Sequence, residues 1–375
     1  MAGSTIEERT VDEDQVKAVL AAEGPFASVF LEDSHDTEDA ERQLELKLRE
    51  IAARLGERGA DDATAEAVVT AIRDSEPPVG RSGRGVVAAG GRVVVDRRLA
   101  DAPAAQVERV SPLPYLLPFF SHGAPSIPYL LVTVDHRGAD LVTRDGEGRE
   151  VATETVTGED WPLHKVRGGG MAHRRMQADV EETRDKNLED VAGRVAERVA
   201  AVQPGLVLLV GEVQARRALH EKLPTAVQDV TRELEAGSRA AGASQEDLEQ
   251  EIRTVLAGER LKVLDELAES FRTGLGREDG LAVTGLAEVV RALAEANVDT
   301  LLIGDPGDAE VWAGRNAGEI ALDRDGLTAF GVEDGRRQRA DEAVPWAALV
   351  SGASVTVMDE RVDLKEGIGA LLRHS

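Results

Sequence analysis

Apolar and polar positions follow two periods along this chain, and the switches between them mark its elements. A polar lead-in over 1–24 holds one short helix around 16–22. Residues 27–31 alternate and are rich in β-formers, which predicts a strand before an acidic turn at 32–39. Leu44, Leu48, Ile51 and Leu55 then recur at helical spacing, so 40–55 reads as a helix closed by Gly56 and Gly59. A second helix is predicted over 63–73, stopped by Pro77 and Pro78. Residues 85–89 and 92–95 read as two strands joined at Gly90-Gly91, a hairpin signal.

Residues 102–128 carry six of the 14 prolines together with Tyr115, Phe119 and Phe120. Proline density of that order stiffens the backbone and opposes regular structure, which predicts an ordered linker whose aromatic rings pack on a neighbouring domain. The strand pattern resumes at 129–134 and 139–143, a hairpin around His136-Arg137-Gly138, with a third strand at 150–155. A helix follows over 178–202, with Val180, Leu188, Val191, Val195, Val199 and Val202 on one face and Pro204-Gly205 as its stop. Residues 206–210 are continuously apolar, as in a strand buried on both faces, and a helix is expected at 213–220. A small, polar stretch at 236–244 suggests a boundary. Beyond it the pattern predicts helices at 245–256, 261–271 and 283–294, a buried strand at 298–303, a helix at 344–350, a strand at 354–358 and a closing apolar stretch at 368–372. The fold class is α/β, in three mixed domains at 1–127, 128–243 and 244–375. No internal repeat is visible.

Composition narrows the function. The chain has 375 residues, more than one ordinary core organises. It has no cysteine, which excludes disulfides and thiolate metal sites. It shows no apolar run of membrane-spanning length and no signal-peptide pattern, so a cytosolic protein is the simplest expectation. The formal net charge is −26, which on its own argues against a nucleic-acid partner.

One stretch runs against that charge. Residues 164–177 contain no acidic residue, and they set Gly168, Gly169 and Gly170 between Arg167 and the pair Arg174-Arg175. Consecutive glycines allow close approach of a partner, and flanking cations suit a polyanion such as a phosphate backbone. The plainer reading is a flexible surface loop, which is what a basic glycine run most often is. Elsewhere the bland readings prevail. His35 between Asp33 and Asp36 has the residue types of a metal site, but carboxylates in a turn more often cap helices. Gly80, Gly83, Gly85, Gly90 and Gly91 do not follow the order of a dinucleotide fingerprint, and no P-loop occurs. The acidic run at 246–251 reads as a solvated helix face. No Ser-His-Asp arrangement stands at a suggestive spacing.

Two segments carry a resemblance. The first is Arg167-Gly168-Gly169-Gly170-Met171-Ala172-His173-Arg174, followed by a long helix and the run 205–211. The second pairs Val298-Asp299-Thr300-Leu301-Leu302-Ile303 with the ending at 367–373. Over roughly 128–375 the chain resembles the archaeo-eukaryotic class I release factor and Pelota superfamily. It is most similar to the bacterial branch that includes the actinobacterial Pelota-like ribosome hibernation factors, and the stretch 26–40 is similar to the actinobacterial branch only. In release factors the first segment holds a Gly-Gly-Gln loop whose glutamine positions the water that cleaves peptidyl-tRNA. Here Gly170 stands at that position, with no side chain to do so, and Gln177 lies seven residues on. The stop-codon loop Asn-Ile-Lys-Ser is absent as well, since the first asparagine is Asn187, which argues against termination.

The resemblance implies a tRNA-shaped, non-enzymatic factor whose glycine loop contacts ribosomal RNA near the peptidyl transferase centre of the A site. It implies a third domain similar to kink-turn-binding ribosomal proteins, which meets a translational GTPase, EF-Tu in bacteria. Under it Lys165, Arg167, Arg174 and Arg175 supply phosphate contacts, Gly168, Gly169, Gly170 and Gln177 belong to the contact surface, and His173 either stacks on a base or stays solvated. No cofactor is implied, and the family pattern suggests a monomer. Two other functions stay open: a peptidyl-tRNA hydrolase or rescue factor in which another residue orients water, and an interaction protein that keeps only the fold.

Overall fold

The structure is a computed structural model. It describes residues 13–33, 40–75, 82–99, 101–122, 127–146, 148–158, 170–236, 245–277, 280–314, 316 and 318–375, with backbone alone at 13–16, 40, 41 and 170–181. In chain order the N-terminal part contains α1 (Glu13–Ala21), β1 (Phe26–Glu32), α2 (Ala40–Glu57), α3 (Asp62–Arg73), β2 (Gly83–Ala89), β3 (Arg92–Leu99), β4 (Val107–Ser111) and α4 (Leu117–His122). The middle part contains β5 (Tyr129–Asp135), β6 (Gly138–Arg144), β7 (Glu150–Thr157), α5 (Gly170–Val202), β8 (Leu206–Gly211), α6 (Val213–Lys222), α7 (Thr225–Asp229) and β9 (Thr231–Glu233). The long helix α8 (Gln245–Leu275) leads to β10 (Ala282–Thr284), α9 (Leu286–Ala294), β11 (Val298–Ile303), β12 (Glu310–Ala313), β13 (Ile320–Ala321), α10 (Arg324–Ala329), β14 (Arg336–Arg339), α11 (Ala340–Val350), β15 (Ser354–Val357) and β16 (Ile368–Leu372).

Packing divides the described chain into two compact units. One is built from Pro125–Leu261, the other from Glu7–Ala124 together with Lys262–Ser375. The mixed α/β class expected from the sequence holds in both.

In the first unit the sheet order is β7-β6-β5-β8-β9, with β8 parallel to both β5 and β9. Strict alternation sorts its side chains. Leu130, Val132, Val134, Val207 and Leu209 face α5 and α6, while Tyr129, Leu131, Leu206, Leu208 and Val210 face the first half of α8 through Ile252. Both faces are covered, which is why 206–210 is apolar throughout.

In the second unit two sheets share one core. The N-terminal sheet has the antiparallel order β3-β2-β1-β4. Ala27, Val29 and Leu31 of β1 point to Leu48, Ile51 and Leu55 of α2, and Phe26 and Phe30 point the other way. That second face is continuous with the C-terminal sheet, order β10-β16-β11-β15: Phe30, Leu113, Phe119 and Phe120 lie in the same apolar cluster as Val290, Leu301, Ile303, Trp346 and Ile368. The opposite face of that sheet takes Leu264, Ala268 and Phe271 from the second half of α8. A buried ionic cluster accompanies the apolar one. Arg109 of β4 donates to Asp341 at 2.9 Å and to Glu342 at 3.0 Å, both on α11, and the Ser111 hydroxyl donates to Glu342 at 2.6 Å. The Arg109 guanidinium also lies 3.6 Å from the centre of the Tyr115 ring.

Several expectations change. The proline-rich stretch is not devoid of regular structure, because Pro112 and Pro114 fall between β4 and α4, and Pro118 sits in the first turn of α4 where its missing N–H is tolerated. Helices expected at 245–256 and 261–271 are one helix: Gly258 faces open space in its interior, at a cost of about 1 kcal/mol relative to alanine. The helix expected at 283–294 is a strand and a shorter helix, broken at Gly285 with φ +91°. Helix α11 begins five residues before Pro345 and keeps that proline inside, in a segment buried from Ala340 to Ala348. The three-stranded sheet β13-β12-β14 was not anticipated, nor were α7 and β9. Residues 34–39, with His35 and Asp36, lie outside the described residues. No helix of the described residues is long and apolar enough to cross a membrane.

Candidate nucleic-acid interface

Residues 159–169 lie outside the described residues, and the elements on either side of them, β7 and α5, come together at one edge of the first unit's sheet. Strands β5, β8 and β9 are parallel, and β7 runs with them because β6 is antiparallel to both β5 and β7. The carboxyl ends of β5, β7, β8 and β9 therefore lie along the same edge. Open α/β sheets form their binding sites at such an edge, beyond the strand ends. Helix α5 returns antiparallel to β8, so its N-terminal end also stands there.

Two glycines fit the chain into this edge. Gly211 ends β8 with φ +118°, and a Cβ there would fall well inside contact distance of the Val134 carbonyl. Gly158 follows β7, where a Cβ would overlap the side chain of the buried Asn187 on α5. The Gly158 N–H donates to the Arg137 carbonyl at 2.8 Å, which joins the exit of β7 to the β5–β6 turn. That turn is fixed by Asp135, whose Oδ1 accepts from the N–H groups of Arg137 at 2.7 Å and Gly138 at 3.0 Å. We expect Gly211→Ala to cost about 3 kcal/mol, from strained backbone plus displacement of β5, measured as a lower urea midpoint by circular dichroism.

Apolar packing of α5 begins at Leu188 and continues through Val191, Ala192 and Val195. Arg194 pairs with Glu154 and ties the same part of the helix to β7. On the N-terminal side, residues 182–186 are exposed or half-exposed. From Asn187 back to Gly170 the helix rises about 25 Å, at about 1.5 Å per residue. The described chain thus leaves the sheet at Gly158 beside Asn187 and resumes at Gly170, the far end of an arm formed by residues 170–186 of α5.

Titratable groups collect at the same edge. Glu212, the residue before α6, lies 3.3 Å from His136 Nδ1 and 3.6 Å from Arg184. Lys222 pairs with Asp185 at 3.1 Å. Behind them Glu233, at the end of β9, accepts from the buried Arg216 at 2.8 Å and lies 3.1 Å from His220. Burial opposes ionisation of Glu233, but Arg216 and His220 together hold its carboxyl below the usual range. Arg137, exposed at the turn, adds a cation beside the exit of β7.

Of the predicted contact residues, Gly170, His173, Arg174, Arg175 and Gln177 lie on α5, so the helix starts eight residues earlier than the apolar pattern suggested. Ala172, Arg174, Arg175, Met176 and Gln177 are all good helix formers, and propensity extends the helix where periodicity is silent. Lys165, Arg167, Gly168 and Gly169 lie outside the described residues. The edge residues His136, Arg184 and Glu212 were missed as a group. Their common signal is position, each next to a strand end or on the helix that faces it.

The chain is similar to several known proteins. Uncharacterized proteins of two Mycobacterium tuberculosis strains, CDC 1551 / Oshkosh and H37Rv, are each 35% identical over 363 residues, 96% of either chain. Among solved structures, Archaeoglobus fulgidus Pelota covers 99% of this chain and 94% of its own at 14% identity and a TM-score of 0.38. Ribosome-bound archaeal Pelota covers 98% and 94% at 13% identity and a TM-score of 0.41. The sequence profile of bacterial archaeo-eukaryotic release factor family 2 matches residues 128–277, which span the whole edge and the arm described above. Residues 128–277 thus carry the profile of bacterial archaeo-eukaryotic release factor family 2, and the whole chain belongs to one family with the two uncharacterized mycobacterial proteins.

Proposed function

We propose that this protein occupies the A site of idle ribosomes, sets its glycine stretch against ribosomal RNA at the peptidyl transferase centre, and does so without hydrolysing peptidyl-tRNA. The role is protection, or hibernation, of ribosomes under stress. Family membership supports a release-factor-like, ribosome-associated protein. The observation that carries the finer reading is Gly170 at the N-terminal end of α5, where the family's catalytic glutamine belongs.

Gln177 is a poor substitute for that glutamine. It sits two turns along the same helix, about 10 Å behind Gly170, which exceeds the reach of its side chain. In this reading Lys165, Arg167, Arg174 and Arg175 neutralise phosphates, and the glycines let backbone approach backbone. The C-terminal part of the second unit meets the translational GTPase that delivers tRNA, EF-Tu.

The test is peptide release. Ribosomes carrying labelled formylmethionyl-tRNA in the P site are mixed with the protein, and free formylmethionine is counted. The wild type is expected to release no more than buffer. Gly170→Gln, which restores the amide, is expected to raise release at least tenfold. Release by the wild type at that level would replace this reading with a peptidyl-tRNA hydrolase or rescue factor.

A further inference from the structure

The three-stranded sheet β13-β12-β14 presents a face that the arm reading does not use. In the register of β12, Val311 and Ala313 are buried, whereas Glu310 and Trp312 point the other way. Trp312 stands opposite Arg337 of β14 on one side and Ala321 of β13 on the other. Side chains directly opposite in an antiparallel pair share a face, so Trp312 and Arg337 are neighbours on the outer surface. Arg337 pairs with Glu310, yet its side chain stays 67% exposed.

Helix α10 crosses over β13. A Cβ on Gly326 would stand 3.2 Å from that of Ala321, and from this position Arg324 reaches over the indole. Its guanidinium stands 5.9 Å from the ring centre, against 3.6 Å for Arg109 over Tyr115 in the core. The first of these arginines is exposed, the second half-buried and held by carboxylates. At the far end of α10 Phe330 is 57% exposed. In a chain with so few aromatic residues, Trp312 and Phe330 flank one short helix, and Arg324, Arg336 and Arg337 are the exposed cations around them.

We infer that this face is a second RNA-binding surface, which takes unpaired bases by stacking on Trp312 and holds the adjoining phosphates with Arg324 and Arg337. Trp312 is half-buried, and the exposed part of its indole offers a flat surface to any base, while a guanidinium that stands off the ring can close over a base or turn to a phosphate. Arg337 is paired with Glu310 and Arg339 with Asp308 and Asp341, whereas Arg324 and Arg336 are exposed and have no carboxylate partner among the described residues, so two guanidinium groups are open to a phosphate here in a protein whose net charge repels nucleic acid elsewhere. A duplex buries its base faces and has nothing to offer the indole, which makes single-stranded loops of RNA the preferred class.

The site is separate from the arm, and its test is arranged to keep the two apart. A fluorescein-labelled single-stranded RNA octamer is titrated by anisotropy against full-length protein carrying Arg174→Glu and Arg175→Glu. Binding is expected to persist in that background. It is expected to weaken at least tenfold on adding Arg324→Ala with Arg337→Ala, and again with Trp312→Ala. A blunt RNA duplex is expected to bind at least tenfold more weakly than the octamer. The arginine pair is exposed, so its replacement reports on binding even if Trp312→Ala disturbs the small sheet. Equal octamer binding by the parent and the arginine variant overturns the inference, as does equal binding of duplex and single strand. Tighter binding of a labelled polyglutamate peptide than of the octamer also overturns it, in favour of an acidic protein partner. Loss of ribosome binding on the arm substitutions alone, with octamer binding intact, leaves both surfaces standing.

Discussion

Arg109→Met is expected to lower the stability of the unit formed by Glu7–Ala124 and Lys262–Ser375 by about 3 kcal/mol, the scale on which one partner of a buried ion pair is lost. Asp341 and Glu342 have side chains only 7% and 3% exposed, and Arg109 is the cation that reaches both. Asp341 keeps Arg339 at 3.0 Å after the change, but among the described residues Glu342 keeps only the Ser111 hydroxyl. An uncompensated carboxylate in the core is the source of the cost. Burial works against ionisation of Asp341, and the hydrogen bonds from Arg109 and Arg339 still hold its pKa below the ordinary value. A depressed folded-state pKa gives stability that is present above the unfolded pKa, about 3.9, and lost as pH falls through the folded value. The wild type is therefore expected to lose this contribution only below about pH 4, and Arg109→Met to be less stable at pH 7. Thermal melts at pH 7 and pH 3 check both statements. A variant that melts with the wild type at pH 7 would remove the ionic cluster from the account of how the N- and C-terminal sheets are joined.

Charge reversal on the arm is expected to have the largest functional effect. Under the proposed function, Arg174→Glu with Arg175→Glu removes two phosphate contacts and sets two carboxylates against the RNA, so ribosome affinity should fall on the order of 100-fold at moderate salt. Cosedimentation through a sucrose cushion measures it, with Arg49→Glu and Arg58→Glu together, two exposed arginines in and just after α2, as the charge-matched control. Binding that survives the double reversal would take the arm out of the mechanism.

Much of this molecule was legible in the sequence where one element meets one face. The apolar run at 206–210 announced a strand covered on both sides, and Leu48, Ile51 and Leu55 announced the face of α2 that meets the N-terminal sheet. What escaped was set by partners far along the chain. Arg109 and Glu342 meet across 233 residues, and nothing local in a proline-rich stretch signals that its strand will be zipped onto β1. The small sheet escaped because its strands are four, two and four residues long, too short for a period to show. At the candidate site the opposite held. Charge contrast and three glycines single out 164–177 in the sequence, while the early start of α5 at Gly170 and the root of that helix at the carboxyl edge came only from the structure, through the register of β5, β7 and β8 and Asn187 lying against Gly158.

The most direct measurement is a cryo-electron-microscopy map of bacterial ribosomes, with peptidyl-tRNA in the P site, incubated with the full-length protein. The account predicts density for α5 entering the A site, with Gly170 against ribosomal RNA at the peptidyl transferase centre and the peptide still attached to its tRNA. A bound protein whose α5 points away from that centre, or a P-site tRNA stripped of its peptide, would contradict it.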